Sequence, residues 1–100
     1  MRIIIKIRTH MPKRGTRPPS TTAVAVQDPP PHFPPPRIVM PIDPRTGHKP
    51  DHVAATLLGL NDIELDVPDD FFERDEEHTH AVILGAIRAA VAERKRKHVA

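Results

Sequence analysis

The 100-residue chain has no cysteine, tryptophan or tyrosine, and its only aromatics are Phe33, Phe71 and Phe72. Without cysteine there is no disulfide framework, no thiolate metal site and no cysteine nucleophile, which fits a cytoplasmic or virion setting. Aromatic side chains bury the largest areas per residue, so the core has to be built from aliphatics. A chain this short buries a small fraction of its surface, and a partner or a second copy would add to it. Glycine occurs four times and never in a cluster, so neither a glycine-rich phosphate loop nor a nucleophile elbow is present. The longest apolar run near the N-terminus, Ile3-Ile4-Ile5, stops at Lys6. That is too short for a signal segment or a membrane span, and the expectation is a soluble chain with no membrane partner.

What is there is charge, sorted by position. The formal net charge is +2, but residues 1–17 carry Arg2, Lys6, Arg8, Lys13, Arg14 and Arg17 with no acid. Residues 51–80 carry ten acids against Arg74 alone, and residues 81–100 are basic again, ending in Arg94-Lys95-Arg96-Lys97. Sorting of this kind bears on partners and self-association more than on fold.

Along the chain, residues 2–8 predict a β-strand, with Ile3, Ile5 and Ile7 on one face and Arg2, Ile4, Lys6 and Arg8 on the other. Twelve of the thirteen prolines lie between Pro12 and Pro50. Proline fixes φ and deletes a donor, so residues 11–50 read as a proline-rich extended arm, polyproline II in its densest part, Pro29–Pro36. Two islands in it, TTAVAV at 21–26 and RIVMPI at 37–42, have strand character, the second only at an edge because of Pro41. Residues 51–100 then form a unit of their own. Asp51 is placed to cap a short helix whose apolar face is Val53, Ala54, Leu57 and Leu58, ended by Gly59 or Asn61. Ile63, Leu65 and Val67 alternate with Asp62, Glu64 and Asp66 as a strand with an acidic outer face. Asp70 and Glu73 match a capping box, opening a helix over about 70–97 with the apolar stripe Ile83, Ala86, Ile87, Ala90 and Val91. The weakest stretch of that pattern is His78-Thr79-His80. The fold class is therefore small α+β: an N-terminal strand (1–10), the arm (11–50), then a short helix, one strand and a long C-terminal amphipathic helix.

Few residues suggest chemistry. Glu77 and His80 have the Glu-x-x-His spacing that puts both on one helix face, as in carboxylate di-metal bundles. The pair supplies too few ligands, and His48 and His52 are distant in sequence; a solvated helix turn explains it. The carboxylates of 62–77 sit among other acids opposite the apolar stripe, not in the kind of cleft that separates carboxylate pKa values. No catalytic residue, metal or cofactor is assigned. Arg2, Lys6, Arg8, Lys13, Arg14 and Arg17 form a candidate nucleic-acid contact, although no aromatic interleaves with them for base stacking.

IELDVPDDFFER, residues 63–74, resembles the strand-to-helix entry of ribbon–helix–helix repressors, a class that includes many antitoxins. The resemblance covers under half the chain and implies a small DNA-binding regulator that reads the major groove with the outward face of its strand. In this chain that face would be Asp62, Glu64 and Asp66, which phosphates repel. The leading expectation is a non-enzymatic structural or assembly subunit, such as a minor virion or complex-bridging protein. It would bind neighbouring protein subunits, copies of itself included, through Ile3, Ile5, Ile7, Ile63, Leu65, Ile83, Ile87 and Val91, with Phe33 as the anchor of its arm.

Overall fold

The strand at the N-terminus organises the rest. In the computed structural model, which describes residues 1–11, 19–28 and 37–99 (the side chains of 98 and 99 excepted), β1 spans Arg2–His10. It is a central strand. On one side it pairs antiparallel with β2 (Ser20–Gln27), register Ile3↔Gln27 to His10↔Ser20. On the other it pairs antiparallel with β4 (Asp62–Asp66), register Arg2↔Asp66 to Lys6↔Asp62. β3 (Arg37–Val39) adds to β2, giving a four-stranded sheet in the order β3-β2-β1-β4.

This topology corrects the extended arm. Ser20–Gln27 contains no proline, so every residue keeps its backbone donor for a ladder. Its alternation turns Thr21, Ala23 and Ala25 inward beside Thr9, Ile7 and Ile5. Both islands of the arm thus contribute strands to the sheet; β3 lies at its edge and ends at Val39, before Pro41. The Pro29–Pro36 run lies outside the described residues.

The helices cover one face of the sheet. α1 (Pro50–Leu57) starts with proline at its first turn, where a missing donor costs nothing. Asp51 is not its cap: Lys49 holds that position without a side-chain bond. The helix ends on Gly59, whose φ of +78° favours a residue without a Cβ. Bonds from Gly59 N–H to the Thr56 carbonyl (3.0 Å) and from Leu60 N–H to the Ala55 carbonyl (2.8 Å) close it as a Schellman motif. The buried face of α1 differs from the one its hydropathy predicts: His52 and Ala55 are buried and Leu57 is 81% exposed. Asp51 meets Arg88 of the last helix (3.3 Å), and Ala55 is small enough to let α1 approach the sheet closely.

After β4 the predicted continuous helix divides. Phe71–Glu73 is a single 3-10 turn, and Arg74 returns to an extended conformation (ψ 166°). α2 then runs unbroken from Glu76 to Val99, through His78-Thr79-His80 and Gly85. Its cap is Asp75, not Asp70: the Asp75 carboxylate accepts the His78 N–H (2.9 Å), and the Asp75 carbonyl accepts the first helical bond, from Thr79 (3.1 Å). Ile83, Ile87 and Val91 descend from α2 onto Ile3, Ile5, Ile7, Ala23 and Ala25 of the sheet, with Phe71 closing one end. Phe72 meets Phe71 edge-to-face at 5.5 Å, a favoured aromatic geometry.

Candidate interaction surfaces

The structure brings the basic and acidic strands together inside one chain. Across the β1–β4 ladder Arg2 opposes Asp66, Ile4 opposes Glu64 and Lys6 opposes Asp62, while Ile3 opposes Leu65 and Ile5 opposes Ile63 on the inner face. Opposite charges across a strand pair stabilise it by roughly 0.2–1 kcal/mol each. Arg8 lies two residues beyond the last pair of that ladder, level with the segment before β4 begins. Its guanidinium donates to the carbonyls of Ile7 (2.9 Å) and Asn61 (2.8 Å) and to the Asp62 carboxylate (2.8 Å). It therefore occupies the place of the next rung on the free edge of β1, a position that otherwise invites another strand. Arg8 is thus paired with an acid of its own chain, and Arg2 and Lys6 stand opposite Asp66 and Asp62 in the ladder. Lys13, Arg14 and Arg17 lie outside the described residues, as does Phe33.

The residues expected to meet a partner divide in the same way. Ile3, Ile5, Ile7, Ile83, Ile87 and Val91 are at most 9% exposed, all in the chain's own core. Ile63 and Leu65 are half-buried against that core. A single hydrophobic stripe reads the same from sequence whether its cover is a neighbour or the chain's own sheet; here it is the sheet. The Glu77–His80 pair does not form: His80 turns toward Glu76 (3.7 Å) and Glu77 is exposed. Among the described residues no group of three His, Cys, Asp or Glu side chains is placed to hold a metal. No helix among them is long and apolar enough to cross a membrane.

Two features are not predicted by the sequence. The first is His52. Its ring is fully buried between α1 and the sheet, and among the described residues neither nitrogen has a hydrogen-bond partner. Burial pushes its pKa below the ordinary 6.5, and Lys49 adds to that. The Thr21 carbonyl and the Asp51 carboxylate offset part of the shift without giving either nitrogen a bond of acceptable geometry. The nearby His48 is satisfied: a turn through Gly47 (φ +73°) brings its Nδ1 to 3.0 Å from the Thr21 hydroxyl.

The second is the outward face of α2. Opposite the buried stripe the helix exposes Ala81, Gly85, Ala89 and Ala92. A solvated helix face ordinarily carries long polar side chains; between residues 81 and 92 this one carries only Arg88. Asp75, Glu76 and Glu77 are exposed at the start, and Glu93, Arg94, Lys95, Arg96 and Lys97 at the finish. Among the described residues Val91 is the last buried side chain of α2, and residues 92–97 are all exposed. Beside them, Leu60 and Ala90 floor a shallow groove of about 150 Å³ rimmed by Glu93, Arg94 and Lys97.

Comparison with protein-family models, with curated proteins and with solved structures returns no match. Nor does β4 lead into the two helices of the ribbon–helix–helix arrangement. One 3-10 turn joins it to one helix, and β4 is paired with β1 of the same chain.

Proposed function

We propose that this chain is a non-enzymatic structural or assembly subunit, a complex-bridging or minor virion protein of the cytoplasm or of a particle, that docks on protein neighbours. The observation that carries this reading is the outward face of α2. Its central three turns expose only small side chains apart from Arg88, and its two ends carry opposite charge. A face without long side chains costs little side-chain entropy to cover and lets another backbone come close. Its charged ends select the orientation of what covers it. The test is a photo-crosslinking amino acid in place of Ala89 in the cell, with a control at exposed Glu64. A discrete, sequenced protein adduct from position 89, absent from position 64, is the expected result. Adducts of equal yield at both positions, or none at 89, would refute the reading.

A second reading, a small DNA-binding regulator, draws on one observation, the exposed Arg94–Lys97 end. It predicts a duplex complex that weakens steeply with salt. A mobility-shift titration showing no complex at low salt removes it.

A further inference from the structure

We propose that residues 48–60, which carry α1, form a strap that a proton on His52 releases from the sheet. The strap has an anchor at each end. Before it, the Gly47 carbonyl accepts the Thr21 N–H of β2 (3.0 Å); after it, the Asn61 carbonyl accepts the Ile7 N–H of β1 (2.8 Å). Between these anchors, among the described residues, no backbone hydrogen bond joins the strap to the sheet or to α2. Its side chains hold it lightly. His52 and Ala55 are the fully buried ones of α1, and Ala55 contributes a single methyl group. Two polar contacts add to them: His48 Nδ1 with the Thr21 hydroxyl (3.0 Å), and Asp51 with Arg88 (3.3 Å), the second exposed. At the last turn of α1 the contact with β1 is already open, a cleft of about 490 Å³ lined by Ile7, Arg8, Thr9, Thr56, Asn61 and Asp62. Gly47 and Gly59, both at positive φ, bracket the helix with backbone that accepts the change of direction release requires.

His52 makes this hold sensitive to protons. Among the described residues both ring nitrogens lack a partner, so packing alone keeps the neutral ring in place. An imidazolium there would be a buried charge without a hydrogen bond, far more costly than the neutral ring. The charges that bear on the ring are Lys49 and Asp51, of opposite sign, and Asp51 is engaged by Arg88. β2 carries no titratable side chain. β1 buries Ile3, Ile5 and Ile7, while its Arg2, Lys6, Arg8 and His10 are exposed. α2 buries Thr79, Ile83, Ile87 and Val91, none of them titratable. His48 is not a second switch: the Thr21 hydroxyl donates to a neutral Nδ1 and accepts from a protonated one. Relief comes from moving the His52 ring into water, and the light hold on the strap makes that a local step in place of general unfolding.

Hydrogen exchange of the full chain tests this, read as protection factors corrected for the intrinsic effect of pH. A helix of eight residues does not persist away from its support, so release exposes the amides of Ala54 to Leu58. The released form takes up a proton near the ordinary value of 6.5, which the closed form resists. Protection of these amides should therefore fall roughly tenfold between about pH 7.5 and 5.5, while Ile5 and Ala23 in the sheet keep theirs. In His52→Leu the fall disappears; in His48→Gln it remains. Protection in α1 that is indifferent to pH, that falls in step with Ile5 and Ala23, or that still falls in His52→Leu overturns the proposal.

Discussion

Replacing His52 with leucine should stabilise this protein, although it deletes a fully buried side chain of the native core. Among the described residues neither ring nitrogen has a partner, and a buried polar group left unsatisfied costs about 1–3 kcal/mol. Leucine is close in volume, and such swaps cost less than about 1.5 kcal/mol in packing. The net expectation at pH 7.5 is a gain of roughly 1 kcal/mol, which raises Tm by about 4–8 °C in a domain of this size. The pH dependence is the sharper signature. Burial holds the folded pKa of His52 below its ordinary 6.5, so the unfolded chain takes up a proton that the folded chain refuses. Stability from this residue is therefore complete above pH 6.5. It falls as pH drops from there toward the folded pKa, by at most about 1.4 kcal/mol per pH unit. Below the folded value the loss stops growing. His52→Leu removes that slope while leaving His48 and the remaining histidines in place, so the difference between the two proteins isolates one group. Urea denaturation of both from pH 7.5 to 5 measures it. Equal slopes in the two proteins, or a leucine variant less stable at pH 7.5, would refute the reasoning.

Three further predictions concern the framework. Ile5→Ala, at the centre of the sheet with no exposure, should cost about 2–5 kcal/mol by urea denaturation, because the backbone around it is fixed on both sides by ladders and cannot collapse. Asp75→Ala removes the cap that α2 uses and should cost about 0.5–2 kcal/mol, whereas Asp70→Ala, at a position with no side-chain cap bond, should cost less; thermal melts of the pair decide between them. The Arg8–Asp62 contact is half exposed on both partners. A double-mutant cycle should give a coupling below about 1 kcal/mol that shrinks with added salt.

How far these features can be read in the sequence depends on the range of the forces behind them. The alternation of Ile3, Ile5 and Ile7 and of Asp62, Glu64 and Asp66 is local, and both strands fall where it places them. Their opposite charges suggest a partnership, which the β1–β4 register supplies within the chain. TTAVAV carries the same period of two, but prolines on either side mask it; what matters is that none falls inside. Residues 70–75 mislead because Asp70–Glu73 and Asp75–His78 both offer an acidic cap, and propensity alone does not choose between them. The structure uses the second, so that Phe71 can turn into the core. The face of α1 escapes prediction for a longer-range reason: eight residues hold little periodicity, and the contact of Asp51 with Arg88 lies 37 positions away. For the stripe Ile83, Ile87 and Val91, pattern says what is apolar and leaves open what covers it. The candidate site is silent in the sequence because Ala81, Gly85, Ala89 and Ala92 contribute nothing to a hydrophobic stripe. They become a feature only once the opposite face is known to be buried.

The most direct test of the account uses the missing cysteines. With none in the chain, Ala81→Cys and Ala92→Cys each introduce a single thiol on the outward face of α2. When they are reacted in the cell with a bulky thiol-directed maleimide, a docked face predicts slower labelling of both positions than in the purified chain, while a cysteine placed at Glu64 labels equally in the two. Labelling at 81 and 92 as fast in the cell as in the purified chain would contradict it.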